Sequence, residues 1–230
     1  MSNTRPAGTA AGAGAATVRM FRSDVLEHLT HVQPWVPHLL YIPVVAVCLR
    51  RATTAPAITA LLFVVGLVLW TLTEYLMHRF VFHWPDDIMD ETHAVVESLG
   101  PGEAAIPRMP SWKHLAYFVG HGVHHVAPSE PTRLVMPPGA SVPLALLFFG
   151  LFRLVFGPAS LGAFAGFVTG YLAYDTIHFA VHHQGLPTRW GRYLKKRHAR
   201  HHFVDADEDY GVSSPLWDVV FGTFSRRARG

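Results

Sequence analysis

Apolar residues gather in four stretches, about Leu39 to Leu49, Pro56 to Phe82, Ala140 to Phe156 and Leu161 to Ala180. As a helix the second would run ~40 Å at ~1.5 Å per residue, against a hydrocarbon core only ~30 Å thick. A helix entering the bilayer near Ala57 leaves it around Leu76, so His78 and His83 stand at its mouth. The first stretch is short, borrows Trp35 and Val36, and is closed by Arg50 and Arg51. Gly157-Pro158 marks a tight turn between the third and fourth. Residues 1–19 are rich in Ala, Gly and Thr and read as a disordered tail, not a cleaved signal peptide. Met20 to His31 suits a short amphipathic helix, with Phe21, Val25 and Leu29 at intervals of four. Trp84 to Pro110 is a polar, Pro-rich connection carrying Asp86, Asp87, Asp90 and Glu91; Trp112 to His125 suits an interfacial helix. Beyond Pro187 the chain is polar and basic, with no further span. The pattern predicts an all-α integral membrane domain over 20–225, with about four transmembrane helices in two hairpins.

Composition supports a membrane protein: 50% of residues are hydrophobic and 15% charged, where soluble domains carry about a quarter charged. Cys48 is the only cysteine, which excludes disulfides and thiolate clusters within the chain and leaves it a packed or lipid-facing side chain. The net charge of +3 does not call for nucleic acid, because the basic residues flank apolar spans and no aromatic-basic surface motif stands out. Two hairpins place the ends of the second and fourth spans on one side. That side also receives Arg79, Arg108, Lys113, Arg133, Arg189, Arg192, Lys195, Lys196, Arg197, Arg200, Arg226, Arg227 and Arg229. Only Arg50, Arg51 and Arg153 oppose them, so the positive-inside rule makes it the cytoplasmic face.

The same side collects the histidines. His121, His124 and His125, and likewise His198, His201 and His202, lie three and four apart and share helix faces; His178 and His182 are one turn apart. His78 and His83 are five apart, roughly 140° around an ideal helix. They converge only if the helix unwinds or bends near Trp84-Pro85. An isolated pair would read as ordinary interfacial side chains, but four clusters brought to one face read as a cytoplasmic helical cap holding two metals. Soluble di-iron bundles use Glu-x-x-His pairs, which are absent here, so the site is an all-nitrogen one. Glu74, one turn before His78, and Asp175, three before His178, are placed to accept the free ring N–H of a ligand, with Asp205, Asp207, Asp209 and Asp218 as further candidates. Glu74 fits equally well as a buried partner of Arg79. His183 faces away from His182, and His28, His31, His38, His93 and His114 read as surface or interfacial residues.

These residues resemble the histidine boxes of the membrane fatty acid hydroxylase superfamily. His78-Arg79-Phe80-Val81-Phe82-His83 is similar to the first box and His121-Gly122-Val123-His124-His125 to the second. Tyr174 to His178 with His182-His183, and Arg197 to Phe203, are similar to the later boxes. Within the superfamily, Arg133 to Pro138, Gly211 to Thr223 and the opening Met20 to Val44 resemble the fatty acid 2-hydroxylases, so the resemblance covers nearly everything but the tails. It implies ten ligands (His78, His83, His121, His124, His125, His178, His182, His198, His201 and His202) around two irons, with O₂ as co-substrate. The cage suits zinc as well. Eukaryotic members often carry a fused haem domain with a His-Pro-Gly-Gly motif, which this sequence lacks. The expected electron donor is therefore a separate protein of the b-type cytochrome or ferredoxin class.

The implied activity is hydroxylation at position 2 of a long acyl chain, free or as a sphingolipid N-acyl group. Tyr117, Phe118, Phe179 and Trp217 are candidates to line the acyl slot, though such aromatics usually serve packing. Lys195, Lys196 and Arg197 suit an acidic electron donor as well as they suit membrane topology. A sterol or carotenoid oxidase would use the same boxes on a bulkier substrate. A membrane metal-handling protein is the rival from another class. Transporters place their ligands near the bilayer midplane in broken helices, whereas the span centres here are free of charge.

Overall fold

Among the described residues, 18–83 and 88–225 of a computed structural model, every regular element is helical. Residues 1–17 of the tail expected over 1–19, the Trp84-Pro85 bend, Asp86, Asp87 and the three C-terminal arginines lie outside the described residues. The α-helices are α1 (Asp24–Thr30), α2 (Val36–Arg51), α3 (Pro56–Met77), α4 (Met89–Glu97), α5 (Trp112–Tyr117), α6 (Val123–Val126), α7 (Pro138–Phe156), α8 (Ser160–His183), α9 (Arg189–Phe203) and α10 (Leu216–Phe221). Prolines in the first turn open α2, α3 and α7, where a missing N–H costs nothing. Gly157, at φ +53°, turns the chain between α7 and α8, a conformation that favours glycine.

Helices α2, α3 and α7 all pack on α8, and α7 and α8 form an antiparallel hairpin. In that hairpin Phe148 meets Phe167 and Phe152 meets Phe164. Helix α2 runs against α8, with the His38 ring 2.8 Å from the Thr176 hydroxyl and Tyr41 edge-on to Tyr171. Helices α3 and α8 run parallel, Thr59 lying by Gly162, Phe63 by Gly166 and Trp70 by Gly170. Small residues one turn apart let the two backbones touch: a Cβ at Gly166 would stand 1.9 Å from the Phe63 carbonyl oxygen, and one at Gly66 1.9 Å from that of Ala163. Parallel packing carries the C-terminal ends of α3 and α8, with their histidines, to one end of the bundle.

Two helical stretches, Pro56–Phe82 and Pro138–His183, are long and apolar enough to cross a membrane. They are not core helices of a soluble protein, because Leu61, Val64 and Val68 on α3 and Leu146, Leu147 and Leu154 on α7 point outward, Leu154 at 83% exposure.

Several sequence expectations change. Val18 and Arg19, expected in the tail, are part of the fold: Val18 packs on the Met20–Phe118 cluster, and the Arg19 and Met20 carbonyls accept from Ala105 and Ile106 N–H. The amphipathic helix over Met20 to His31 begins only at Asp24, capped by Ser23, and its Val25 and Leu29 are exposed. The polar connection contains α4, and His114 is not a surface residue: it is buried and lies 2.9 Å from Glu91, tying α5 to α4. His31, half-buried, joins Thr132 and Arg133, and Cys48 is packed in the core that α2 shares with α7 and α8.

Candidate metal centre

The ten histidines singled out by spacing come together in two groups of five, His78, His83, His121, His125 and His201 in one, His124, His178, His182, His198 and His202 in the other. Within each group the candidate ligand atoms lie within 4.8 Å of one another. His125 and His202 stack at 4.3 Å between centroids and join the groups.

Two local distortions make this convergence possible. After α3 the helix widens to a π-turn over His78–Phe82, closed by the His83 N–H donating to the His78 carbonyl at 3.2 Å. That i→i+5 bond sets residue 83 over residue 78 and removes the 140° divergence. A second π-turn, Phe118–Gly122, lies between α5 and α6, so Trp112 to His125 is not one regular helix. It sends His121 and His125 to the first group and His124 to the second. Helix α8 supplies His178 and His182, and α9 supplies His198 and His202 to one group and His201 to the other.

The inward edges are crowded with ring nitrogens. Nε2 of His78 is 3.1 Å from Nε2 of His121, and Nε2 of His201 is 3.1 Å from that of His83. In the second group, His124 Nε2 is 3.1 Å from both His178 and His202. His178 and His198 approach to 3.0 Å. Two ligands at a right angle, each ~2.1 Å from one ion, would lie ~3.0 Å apart. The His78 and His201 rings donate Nδ1–H to the carbonyls of Tyr210 and Glu208, so their Nε2 atoms carry bare lone pairs. Lone pairs facing each other in a buried space repel unless a cation lies between them, and this donor set fits a metal in each group. Burial and the neighbouring rings hold His121, His124, His125, His198 and His202 well below the usual imidazole range, and burial pushes His201 down to about 4. At neutral pH these rings are therefore neutral, the form that ligates.

The surrounding support differs from the sequence expectation. Glu74 does not accept from His78; its carboxylate takes the Val212 and Ser213 N–H groups, each at 2.8 Å, and the Ser213 hydroxyl. Asp218 takes the N–H groups of Tyr210 and Gly211, both at 2.9 Å. Both carboxylates thus hold the 208–213 strap, and the strap's carbonyls hold the rings. For Asp175, one buried oxygen has no partner among the described residues. Arg197, expected on a basic surface with Lys195 and Lys196, lies inside, and Asp209, a candidate ring acceptor, pairs with it instead. Arg197 is buried, with Nη1 2.8 Å from Asp209 and Nη2 2.9 Å from Asp218. Replacing Arg197 by Met would strand two buried carboxylates, a loss of ~3–5 kcal/mol. A steep fall in unfolding temperature in detergent is expected for Arg197→Met, with a smaller one for Arg197→Lys.

The four proposed slot aromatics are dispersed. Phe118 is fully buried in a cluster with Met20, Val96 and Ala105, and Tyr117 packs under Gly122. Phe179 lies on His183, and Trp217 donates its indole N–H to Thr71 at 3.0 Å.

Against known proteins, the fatty acid hydroxylase family model matches residues 63–223. The chain belongs to the fatty acid hydroxylase family. The histidine-box resemblance is borne out. Relatives include the dihydroceramide fatty acyl 2-hydroxylase FAH1 of Arabidopsis thaliana, 35% identical over 89% of this chain and 79% of the relative. The ceramide very long chain fatty acid hydroxylase SCS7 of Saccharomyces cerevisiae is 37% identical, covering 87% of this chain but 48% of its own length. The fatty acid 2-hydroxylase of Rattus norvegicus is 32% identical over 91% and 57%. Among solved structures, full-length scs7p, of which only the hydroxylase domain is visible, superposes with a TM-score of 0.75 at 35% identity, covering 90% of this chain and 72% of that one.

Proposed function

We propose that this fatty acid hydroxylase is an O₂-dependent di-iron enzyme that hydroxylates position 2 of a long acyl chain, carried as a free fatty acid or a sphingolipid N-acyl group. The observation that carries the reading is the pair of five-histidine groups at the shared end of α3 and α8. The named relatives act on fatty acyl and ceramide lipids, which favours this substrate class over sterols or carotenoids.

Bound to the ten histidines, two irons would supply reductive O₂ activation and oxidation of an unactivated C–H bond. The chain's own part is placement. In this reading α2, α3, α7 and α8 cross the bilayer and the cap lies on the cytoplasmic face, where the basic residues collect. An acyl tail lies along α3 and α8 with its carbonyl end at the interface, which brings carbon 2 to the histidines. The outward Val219, Val220 and Phe221 of α10 face lipid, while inward Asp218 secures the strap. Burial of the rings excludes water from the oxidising centre. Electrons arrive from a separate donor of the b-type cytochrome or ferredoxin class, for which the exposed Arg192 and Lys196 of α9 form an attractive surface.

Lipid mass spectrometry on cells expressing the chain tests this, with fatty acids and sphingolipid precursors supplied. A gain of one oxygen at position 2 of the acyl chain is expected. An oxygenated sterol or carotenoid in its place would move the chain to the rival oxidases, and no new product with a donor co-expressed would favour metal handling.

A further inference from the structure

The two histidine groups are not held alike. In the first, His78 and His201 donate Nδ1–H to the carbonyls of Tyr210 (2.5 Å) and Glu208 (2.9 Å). Both carbonyls belong to one strap that is itself fixed from several sides. Glu74 takes its Val212 and Ser213 N–H groups, and Asp218 those of Tyr210 and Gly211. Gly211 has no room for a side chain, since a Cβ there would stand 2.1 Å from the Ser214 carbonyl oxygen. Asp209 holds a left-handed φ of +60° while its carboxylate accepts the Ser225 N–H.

The second group has no such strap. His124, His178, His198 and His202 turn Nε2 inward, so each neutral ring carries its proton on Nδ1. All four Nδ1 atoms are buried and meet no acceptor among the described residues. A ring whose outer N–H is anchored is locked in tautomer and orientation and is the more basic ligand, whereas an unanchored ring must be ordered by the ion itself.

We infer that the two metal positions are inequivalent: the first group binds its ion tightly because the 208–213 strap preorganises it, and the second group is the labile position. The inference rests on the two-metal reading above and deepens it. It makes Glu74 and Asp218 positioning residues of the first position, acting through backbone carbonyls and not through the metal.

The test is titration of metal-stripped, detergent-solubilised full chain with Co(II), followed by its visible absorption and by bound-metal counting. Two ions in two steps are expected, separated by about tenfold or more in affinity. His83→Ala should weaken the tight step and His182→Ala the loose one. Glu74→Ala should weaken the tight step by ~10–100-fold and leave the loose one in place. Glu74→Gln should restore it, because its amide oxygen still accepts from Val212 and Ser213. Should Glu74→Ala fail to fold, the wild-type titration and the two ligand variants decide the matter. Two ions bound in one indistinguishable step, or a tight step that follows His182, would overturn the inequivalence while leaving the two-metal cage intact. Failure to bind any ion would overturn both.

Discussion

Replacing His124 or His201 by alanine is expected to reduce acyl hydroxylation to background and to lower bound metal, one residue from each group producing the same loss. Each is a buried ring with its Nε2 among others at 3.1 Å. Removing one leaves a gap in a donor set whose other members are already converged, and the proposed O₂ chemistry, which would need both ions, should fail when either position empties. His93→Ala is the control. That ring lies on α4, outside both groups, and the variant should keep activity and metal content near wild type. Product yield and metal content measured on the same preparations check the result, and wild-type activity in both ligand variants would sink the assignment.

The second large effect is expected far from the histidines. Gly166→Val should cost about 3 kcal/mol or more, because its Cβ would stand 1.9 Å from the Phe63 backbone oxygen, which no rotamer change relieves. The α3–α8 contact sets the height of His78 against His178, so forcing the helices apart should also release metal. Gly150→Ala in α7 is the counterpart, with nothing within 4 Å of the added atom. Helix propensity alone predicts a gain of ~0.5–1 kcal/mol there. Thermal unfolding in detergent, read beside bound metal, separates the two. Equal stability of the two variants would show that the close approach of α3 and α8 does not organise the site.

How far the sequence reveals this molecule depends on the kind of interaction. The four main apolar helices could be read from composition and length, and the six histidines of the second and fourth boxes from their three- and four-residue spacing. The gathering of both sets at one end followed from counting hairpins and basic residues. The convergence of His78 with His83 was expected from the resemblance, on condition that the helix unwound or bent, but the π-turn that achieves it was not legible, because no side-chain pattern in His78–Phe82 distinguishes an i→i+5 from an i→i+4 bond. The ring acceptors were misassigned to Glu74 and Asp175 for a related reason. Helical spacing finds carboxylates, but the acceptors are the Tyr210 and Glu208 carbonyls, and every residue has a carbonyl. The pairing of Arg197 with Asp209 and Asp218 depends on the path of the strap and leaves no local trace. By contrast, Gly162, Gly166 and Gly170 at intervals of four were a readable signal of close helix packing.

The most direct test of the account is a reaction of the purified, iron-loaded protein with ¹⁸O₂, a reductant, an electron-donor protein and an acyl lipid carrying two deuteriums at carbon 2. The account predicts a product that has gained one ¹⁸O and lost one deuterium, both at carbon 2, and no product from the His124→Ala protein. Oxygen at another carbon, oxygen drawn from water, or the same product from His124→Ala would contradict it.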